Sequence, residues 1–424
     1  MSSDLLKELY ENHYKAYESL ENIVLSLNDS LTAYYFARDN KTSRLEDYMQ
    51  VIFNNNDLET VCLFARDVEK ADLEKCAQFI IDSKSSKWNF MYAKYMINAL
   101  KDVDLGRHSQ VALDNKDPEW CYQFAYELVY DISSFETVVL ESGSAKFNYL
   151  FARNVDGADI EKHAKAVIES KDPYYNYLFA KNVDGADIEK HAKAVIESKD
   201  PYYNYLFAKD ILVVDKKEFE KVVLESKDPK TNYLYAKDIP LADIEKHGKV
   251  IIQSEDLEYN ILYAKNILGA DILEHGKIVL KKGDAKQNYL YAVNHPEADI
   301  AAHREFIIAS KDPEFNYYYA LTFNTDISDF EQIVLDSKNP EWNYKFAKNI
   351  PGADIDKHEQ IVLGSFDPKW NYYYAKNIPL ADIEAHAKVI HECKKPSEFI
   401  AYFDYWYTNE YNNSGKQRIK AYCK

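Results

Sequence analysis

The sequence predicts an all-α fold: an α-solenoid of about thirteen two-helix, 28-residue repeats, elongated and curved. Three observations carry that expectation. Residues 148–175 read NYLFARNVDGADIEKHAKAVIESKDPYY, and residues 176–203 repeat them with one change, Lys181 in place of Arg153. An alanine preceded by an aromatic residue recurs along the chain, at Ala37, Ala65, Ala93, Ala125, Ala152, Ala180, Ala208, Ala236, Ala264, Ala292, Ala320, Ala347 and Ala375. The spacing is 28 residues, broken once by 32 and twice by 27. Such a period is the mark of a repeat array rather than of separate domains. Finally, 11 Gly and 12 Pro in 424 residues are too few for a turn-rich β fold, and no segment alternates with the period of a strand.

The elements follow in order. Residues 1–28 are expected to form an N-terminal capping helix, with Leu6, Leu9, Tyr10, Ala16, Leu20 and Ile23 as its apolar face. Residues 29–395 form the array. In the repeat anchored at Ala180, Asp172 is a good N-cap and Pro173 suits the first helical position, so helix A runs through YYNYLFAKN. Val183-Asp184-Gly185-Ala186 makes the connection, with Gly185 free to adopt positive φ. Asp187 caps helix B, IEKHAKAVIES, and Lys199 precedes the next Asp-Pro. The third unit carries four extra residues within 94–108, about one helical turn, expected to bend the array or protrude. Residues 396–424 are a C-terminal cap, SEFIAYFDYWYTNEY, followed by NNSG and a short basic tip.

Composition narrows the function classes. The net charge of −18 disfavours a simple polyanion binder. Cys62, Cys76, Cys121, Cys393 and Cys423 are scattered, with no CxxC pair, which points to a reducing compartment, the cytoplasm. The first residues are charged throughout and predict no signal-peptide core, and no apolar run approaches the ~18 residues of a membrane span. No Walker loop, GxGxxG, GxSxG or HExxH occurs, so no cofactor is expected and the reading is non-enzymatic.

The repeats supply their own substitution record. The residue before the anchor alanine is aromatic in all thirteen units, and the residue five before is aromatic in nine; four apart, they define the expected core stripe. Asn148, Asn176, Asn204 and seven equivalents stand four before the anchor and are expected to bond inter-repeat backbone as a structural ladder. His163, His191, His247 and five more share one helix B column with Tyr48, Cys76, Phe135, Phe219 and Phe330. A column that accepts those residues reads as a semi-buried packing position rather than a metal site, since equivalent residues in neighbouring repeats lie roughly 8–10 Å apart. On that reading His191→Phe costs little.

One stripe is a candidate binding surface. Three before the anchor stands Tyr, as in Tyr149, Tyr177, Tyr205, Tyr233, Tyr344 and Tyr372. One after it stands a cation, as in Arg153, Lys181, Lys209, Lys237, Lys265, Lys348 and Lys376. The two columns are i and i+4 and are expected on the side of helix A away from the core stripe, either packing between repeats or facing an extended acidic or aromatic-rich partner.

The pattern DPxxNYxxAxN…GADIxxHxxV…SKD resembles short α-solenoid repeats of large bacteriophages, giant viruses and some AT-rich bacteria, and it is similar in layout to HEAT-type and leucine-rich-repeat-variant arrays. The resemblance covers roughly residues 30–395, with the first two units departing most. It implies an interaction role and supplies no chemistry. The leading expectation is a protein-binding scaffold, in its viral form a factor engaging a host protein in the host cytoplasm. The alternative is an acidic mimic of nucleic acid that blocks a host enzyme; a nucleic-acid binder using the Tyr/Lys stripe ranks third.

Overall fold

The computed structural model describes residues 3–212, 214–323, 326–392 and 398–411. Among them are 28 α-helices, one short π-helical turn and no strand. One helix, Ser3–Ser26, precedes thirteen helix A/helix B pairs, and one, Glu398–Trp406, follows them. The fold is an all-α solenoid. No helix among the described residues is long and apolar enough to cross a membrane.

The local chemistry of a repeat explains its helix ends. In the unit anchored at Ala180, the Asp172 carboxylate accepts from Tyr174 N at 2.9 Å and Tyr175 N at 3.2 Å, and Pro173 opens the helix Pro173–Asn182. Gly185 takes φ 79° in the connection. Asp187 accepts from Lys190 N at 3.2 Å and starts the helix Ile188–Ser198. Lys199 then turns the chain with φ 57°. The Ser198 hydroxyl donates to Val195 O at 2.6 Å and accepts from Asp200 N at 3.2 Å, which closes the turn into the next repeat. Helices of ten or eleven residues are too short to be stable alone, so both faces must be covered by neighbours.

The chain divides into two compact units, Met1–Val222 and Val223–Lys424. In the first, the helix Ser3–Ser26 departs from its expected face. Leu20 and Ile23 are 48% and 57% exposed, whereas Glu21 and Val24 are buried. The buried line is turned by one residue because Glu21 accepts a hydrogen bond from the Thr42 hydroxyl, which draws it inward. The side chains of Leu6, Leu9 and Tyr10 lie outside the described residues. The four extra residues of the third unit lengthen helix A to Ser86–Asn98 and bury Met96. Just beyond, the Lys101 ammonium donates to Ala65 O at 2.6 Å, and burial depresses its pKa. Cys62, Cys76 and Cys121 are fully buried free thiols, which burial pushes up in pKa; Cys393 and Cys423 lie outside the described residues.

In the second unit, helix Glu398–Trp406 lays Phe403 and Trp406 against Tyr372, Ala375 and Ile390 and so closes the last repeat. The NNSG segment and the basic tip lie outside the described residues. The connections here carry an irregularity. Where other repeats place Gly269 (φ 88°) and Gly352 (φ 85°), two place Leu241 (φ 66°) and Leu380 (φ 69°), both wholly exposed. A branched side chain at positive φ is strained by roughly 1–2 kcal/mol and is repaid here by no contact. Leu241→Gly is therefore expected to raise the melting temperature. A fall on this substitution would show that Leu241 makes a stabilising contact.

Candidate functional site

The most constant chemistry of the molecule is the amide four residues before each anchor. All ten of these asparagines are fully buried. In the first unit Asn176 Nδ2 donates to Val167 O, in the preceding helix B, at 3.1 Å, and to Asp172 O, at its own N-cap, at 2.8 Å. Asn148 and Asn204 do the same with Val139 O and Val195 O at 3.1 and 2.9 Å. In the second unit Asn232, Asn260 and Asn371 repeat the bond at 2.9–3.0 Å. The carbonyl it reaches is in the last turn of helix B, one of the groups that a short buried helix leaves without an intrahelical partner.

The amide oxygen faces the other way. With Nδ2 fixed on two carbonyls, Oδ1 accepts, so the histidine Nδ1 facing it must donate. That contact is 2.7 Å at His163 and His247 and 2.8 Å at His191, and it recurs at all eight histidines of the column. Each ring also lies against the aromatic residue before the anchor, Phe179 to His191 at 4.7 Å between centroids. These histidines are 0–1% exposed, not semi-buried. The tolerance of the column for Phe misled the sequence reading, because what matters is the partner. Where Phe219 and Phe330 occupy the column, Asn204 Oδ1 and Asn316 Oδ1 are left without a hydrogen-bond partner. His191→Phe would put Asn176 Oδ1 in the same state, which costs about 1–3 kcal/mol rather than little.

A sequence signal for this pairing existed. No histidine occurs in the column unless asparagine stands four before the anchor of the same repeat; Ala33, Val61 and Cys121 go with Tyr48, Cys76 and Phe135. Also missed was a carboxylate one position beyond the column in the preceding repeat. Glu136 Oε1 lies 3.3 Å from His163 Nε2 and accepts from Asp159 N at 2.6 Å. Glu331 and Glu359 stand likewise toward His358 and His386, at 3.4 and 3.3 Å. Burial lowers the pKa of His386 and raises that of Glu359, so desolvation disfavours the charged form of each. Beside His191 and His275 that place is taken by Ala164 and Gly248. With or without the carboxylate, Nε2 of His163, His191, His275, His358 and His386 makes no hydrogen bond.

The Tyr/cation columns separate in depth. Tyr149, Tyr177, Tyr205, Tyr233, Tyr344 and Tyr372 are 3–8% exposed and lie inside, not on the side of helix A away from the core. Helix A is flanked by a helix A on each side, so the face presented to the next repeat is buried as well; Tyr149 lies 6.1 Å from Tyr175 and Tyr344 lies 5.7 Å from Trp370. Their hydroxyls make a second set of inter-repeat bonds. Asn182 Nδ2 donates to Tyr149 OH at 3.1 Å, Asn266 to Tyr233 OH and Asn377 to Tyr344 OH at 2.9 Å, and Tyr177 OH donates to Asp210. This partner column, two after the anchor, was not singled out in the sequence.

The cations reach solvent. Arg153, Lys181, Lys209, Lys237, Lys265, Lys348 and Lys376 are all exposed and all lie in the last turn of their helices, where positive charge favours the helix end. Arg153, Lys181, Lys209, Lys348 and Lys376 donate to the tyrosine hydroxyl one turn earlier at 2.8–3.1 Å. Lys237 lies over the Tyr233 ring at 5.6 Å. Lys181 also pairs with Asp210 at 2.6 Å.

No protein-family model, curated protein or solved structure matches the chain. The fold and its bonding therefore stand on the repeats themselves.

The buried histidines set an acid limit. Burial lowers His108, His191, His247, His275, His303, His358 and His386 from 6.5 to about 4. Between these values the unfolded chain binds more protons than the folded one. The stabilisation is thus complete above pH 6.5 and is lost as pH falls toward about 4, by about 3 kcal/mol per histidine. The denaturant midpoint should fall steadily across that window. A flat midpoint down to pH 5 would contradict neutral, buried rings.

Proposed function

We propose that the chain is a non-enzymatic scaffold that holds an extended segment of a partner protein along the helix A side of its repeats. The observation that carries this reading is one exposed cation at the same helical position in repeat after repeat: Arg153, Lys181 and Lys209 in the first unit, Lys237, Lys265, Lys348 and Lys376 in the second. In a chain of net charge −18 these rows are local exceptions, continuous in the first unit from Arg153 to Lys209 and interrupted in the second by Val293 and Leu321. A row of that kind complements a partner with carboxylates at regular intervals, and such charges set encounter rate and specificity more than raw affinity. The asparagines and histidines support the same reading, since they are buried out of reach of a ligand and the asparagine amides and histidine Nδ1 atoms hold the array together. A host protein as the partner follows from the resemblance to phage and giant-virus repeats.

The test is retention of protein by the immobilised full chain and by an Arg153→Glu/Lys348→Glu variant. Both positions are exposed, so helicity and melting should change little, within about 0.5 kcal/mol each. The wild type is expected to retain a partner in a salt-sensitive manner and the variant to lose it. Equal retention by the two would remove the cations from the binding surface. No retained protein at low salt would count against the scaffold reading itself.

A further inference from the structure

Beside the cations of the first unit runs a strip of side chains that the ladders do not use. Helical spacing aligns Tyr174, Leu178 and Lys181 on one face of a helix A, and Tyr202, Leu206 and Lys209 on the next. Lys146, Leu150 and Arg153 take the same places in the repeat before. Leu150 and Leu178 rest their inner sides on the core and remain half-exposed, as does Leu206. Tyr174 and Tyr202 are 41% and 43% exposed. The rings form a continuous surface: Tyr174 lies 4.9 Å from Tyr175 and 5.7 Å from Tyr203, and Tyr203 lies 5.6 Å from Tyr202.

The array's own record shows that these two tyrosines are not required for folding. Six residues before the anchor, ten of the other eleven repeats carry a charge, Glu59, Lys87, Glu119, Lys146, Lys230, Glu258, Lys286, Glu314, Glu341 and Lys369, and the first carries Leu31. The position is a charged, solvated one, and only Tyr174 and Tyr202 place an aromatic ring there. Charge on this face is positive. Lys146, Arg153, Lys181 and Lys209 stand along it, Asp210 is committed to Tyr177 and Lys181, and Asp172 and Asp200 are turned onto helix N-termini.

We infer that the helix A face of the repeats anchored at Ala152, Ala180 and Ala208 holds an extended, acidic, proline-rich segment of a partner protein. The inference rests on the scaffold reading above and names its occupant. Apolar and proline side chains of the segment lie on the Tyr174–Leu178 and Tyr202–Leu206 strip, and its carboxylates meet Arg153 and Lys181. Two physical matches select this occupant. Polyproline-II chains dock on surfaces of adjacent aromatic rings because their backbone is already extended and loses little freedom on binding. They also rise about 9 Å per three-residue turn, close to the roughly 8–10 Å between packed helices, so one turn of the ligand spans one repeat.

The experiment is fluorescence anisotropy with the full chain and three labelled probes: a peptide of repeated Pro-Leu-Glu, its Pro-Leu-Lys counterpart, and oligo-dT. The Pro-Leu-Glu peptide is expected to bind saturably and more weakly as salt rises, and the Pro-Leu-Lys peptide to fail. A Tyr174→Ser/Tyr202→Ser variant should keep the wild-type melting curve and lose about tenfold or more in affinity for Pro-Leu-Glu. Arg153→Glu should weaken it independently of the rings. Absence of saturable Pro-Leu-Glu binding, equal binding of the two peptides, an unaffected tyrosine variant, or tighter binding of oligo-dT would each overturn the inference. If the chain still retains a protein that Arg153→Glu releases while Pro-Leu-Glu does not bind, the occupant is wrong and the scaffold reading stands.

Discussion

The structure depends on a buried carboxamide, present in ten of the thirteen repeats, that in eight of them bonds three elements at once. Asn176 ties the end of the preceding helix B through Val167 O, the start of its own helix A through Asp172 O, and its own helix B through His191 Nδ1. Helices of ten residues have as many end groups as internal bonds, and in a buried array water cannot satisfy them. A side chain with two donors and an acceptor on a short stem solves that problem without lengthening the helices. Each amide thereby ties one helix pair to the next.

Around this bridge the remaining columns take their roles. The aromatic residue before the anchor supports the histidine ring, and in several repeats its own hydroxyl reaches back to the first turn of the preceding helix B, as Tyr263 does to Ile244 O at 2.7 Å and Tyr374 to Ile355 O at 2.8 Å. The tyrosine three before the anchor joins neighbouring A helices through its hydroxyl. Much of the wealth of tyrosine is thereby explained: each ring of these two columns fills a gap between helices and carries a hydroxyl to its far edge, which phenylalanine cannot do. What the ladders leave over is a surface with a cation in ten of the thirteen repeats and, in the first unit, a patch of exposed rings.

Much of this was legible in the sequence. The period, the two caps at Asp172 and Asp187, the glycine turn at Gly185 and the buried asparagine ladder all follow from residue types at fixed spacing. Directions were harder to read. The aromatic positions five and one before the anchor define a face, but helix A is covered on its flanks as well, so Tyr177 is buried on what looked like the outer side. Taken alone, the histidine column suggested a tolerant packing position. Read together with the asparagine column, it is a polar pair, and correlation between columns carries that information where composition of one column does not. The face of the first helix was misassigned because the attraction of Glu21 for Thr42 has no counterpart in an apolar pattern.

The central claim, that asparagine and histidine act as one inter-element bridge, is tested most directly by a double-mutant cycle on Asn176→Leu and His191→Phe, followed by chemical denaturation at neutral pH. Each single change leaves the other partner's buried polar group unpaired, whereas the double change leaves neither. The account predicts that the double variant is more stable than the sum of the single losses by about 1–3 kcal/mol. Additivity within about 0.5 kcal/mol would show that the two residues stabilise the repeat separately and would contradict it.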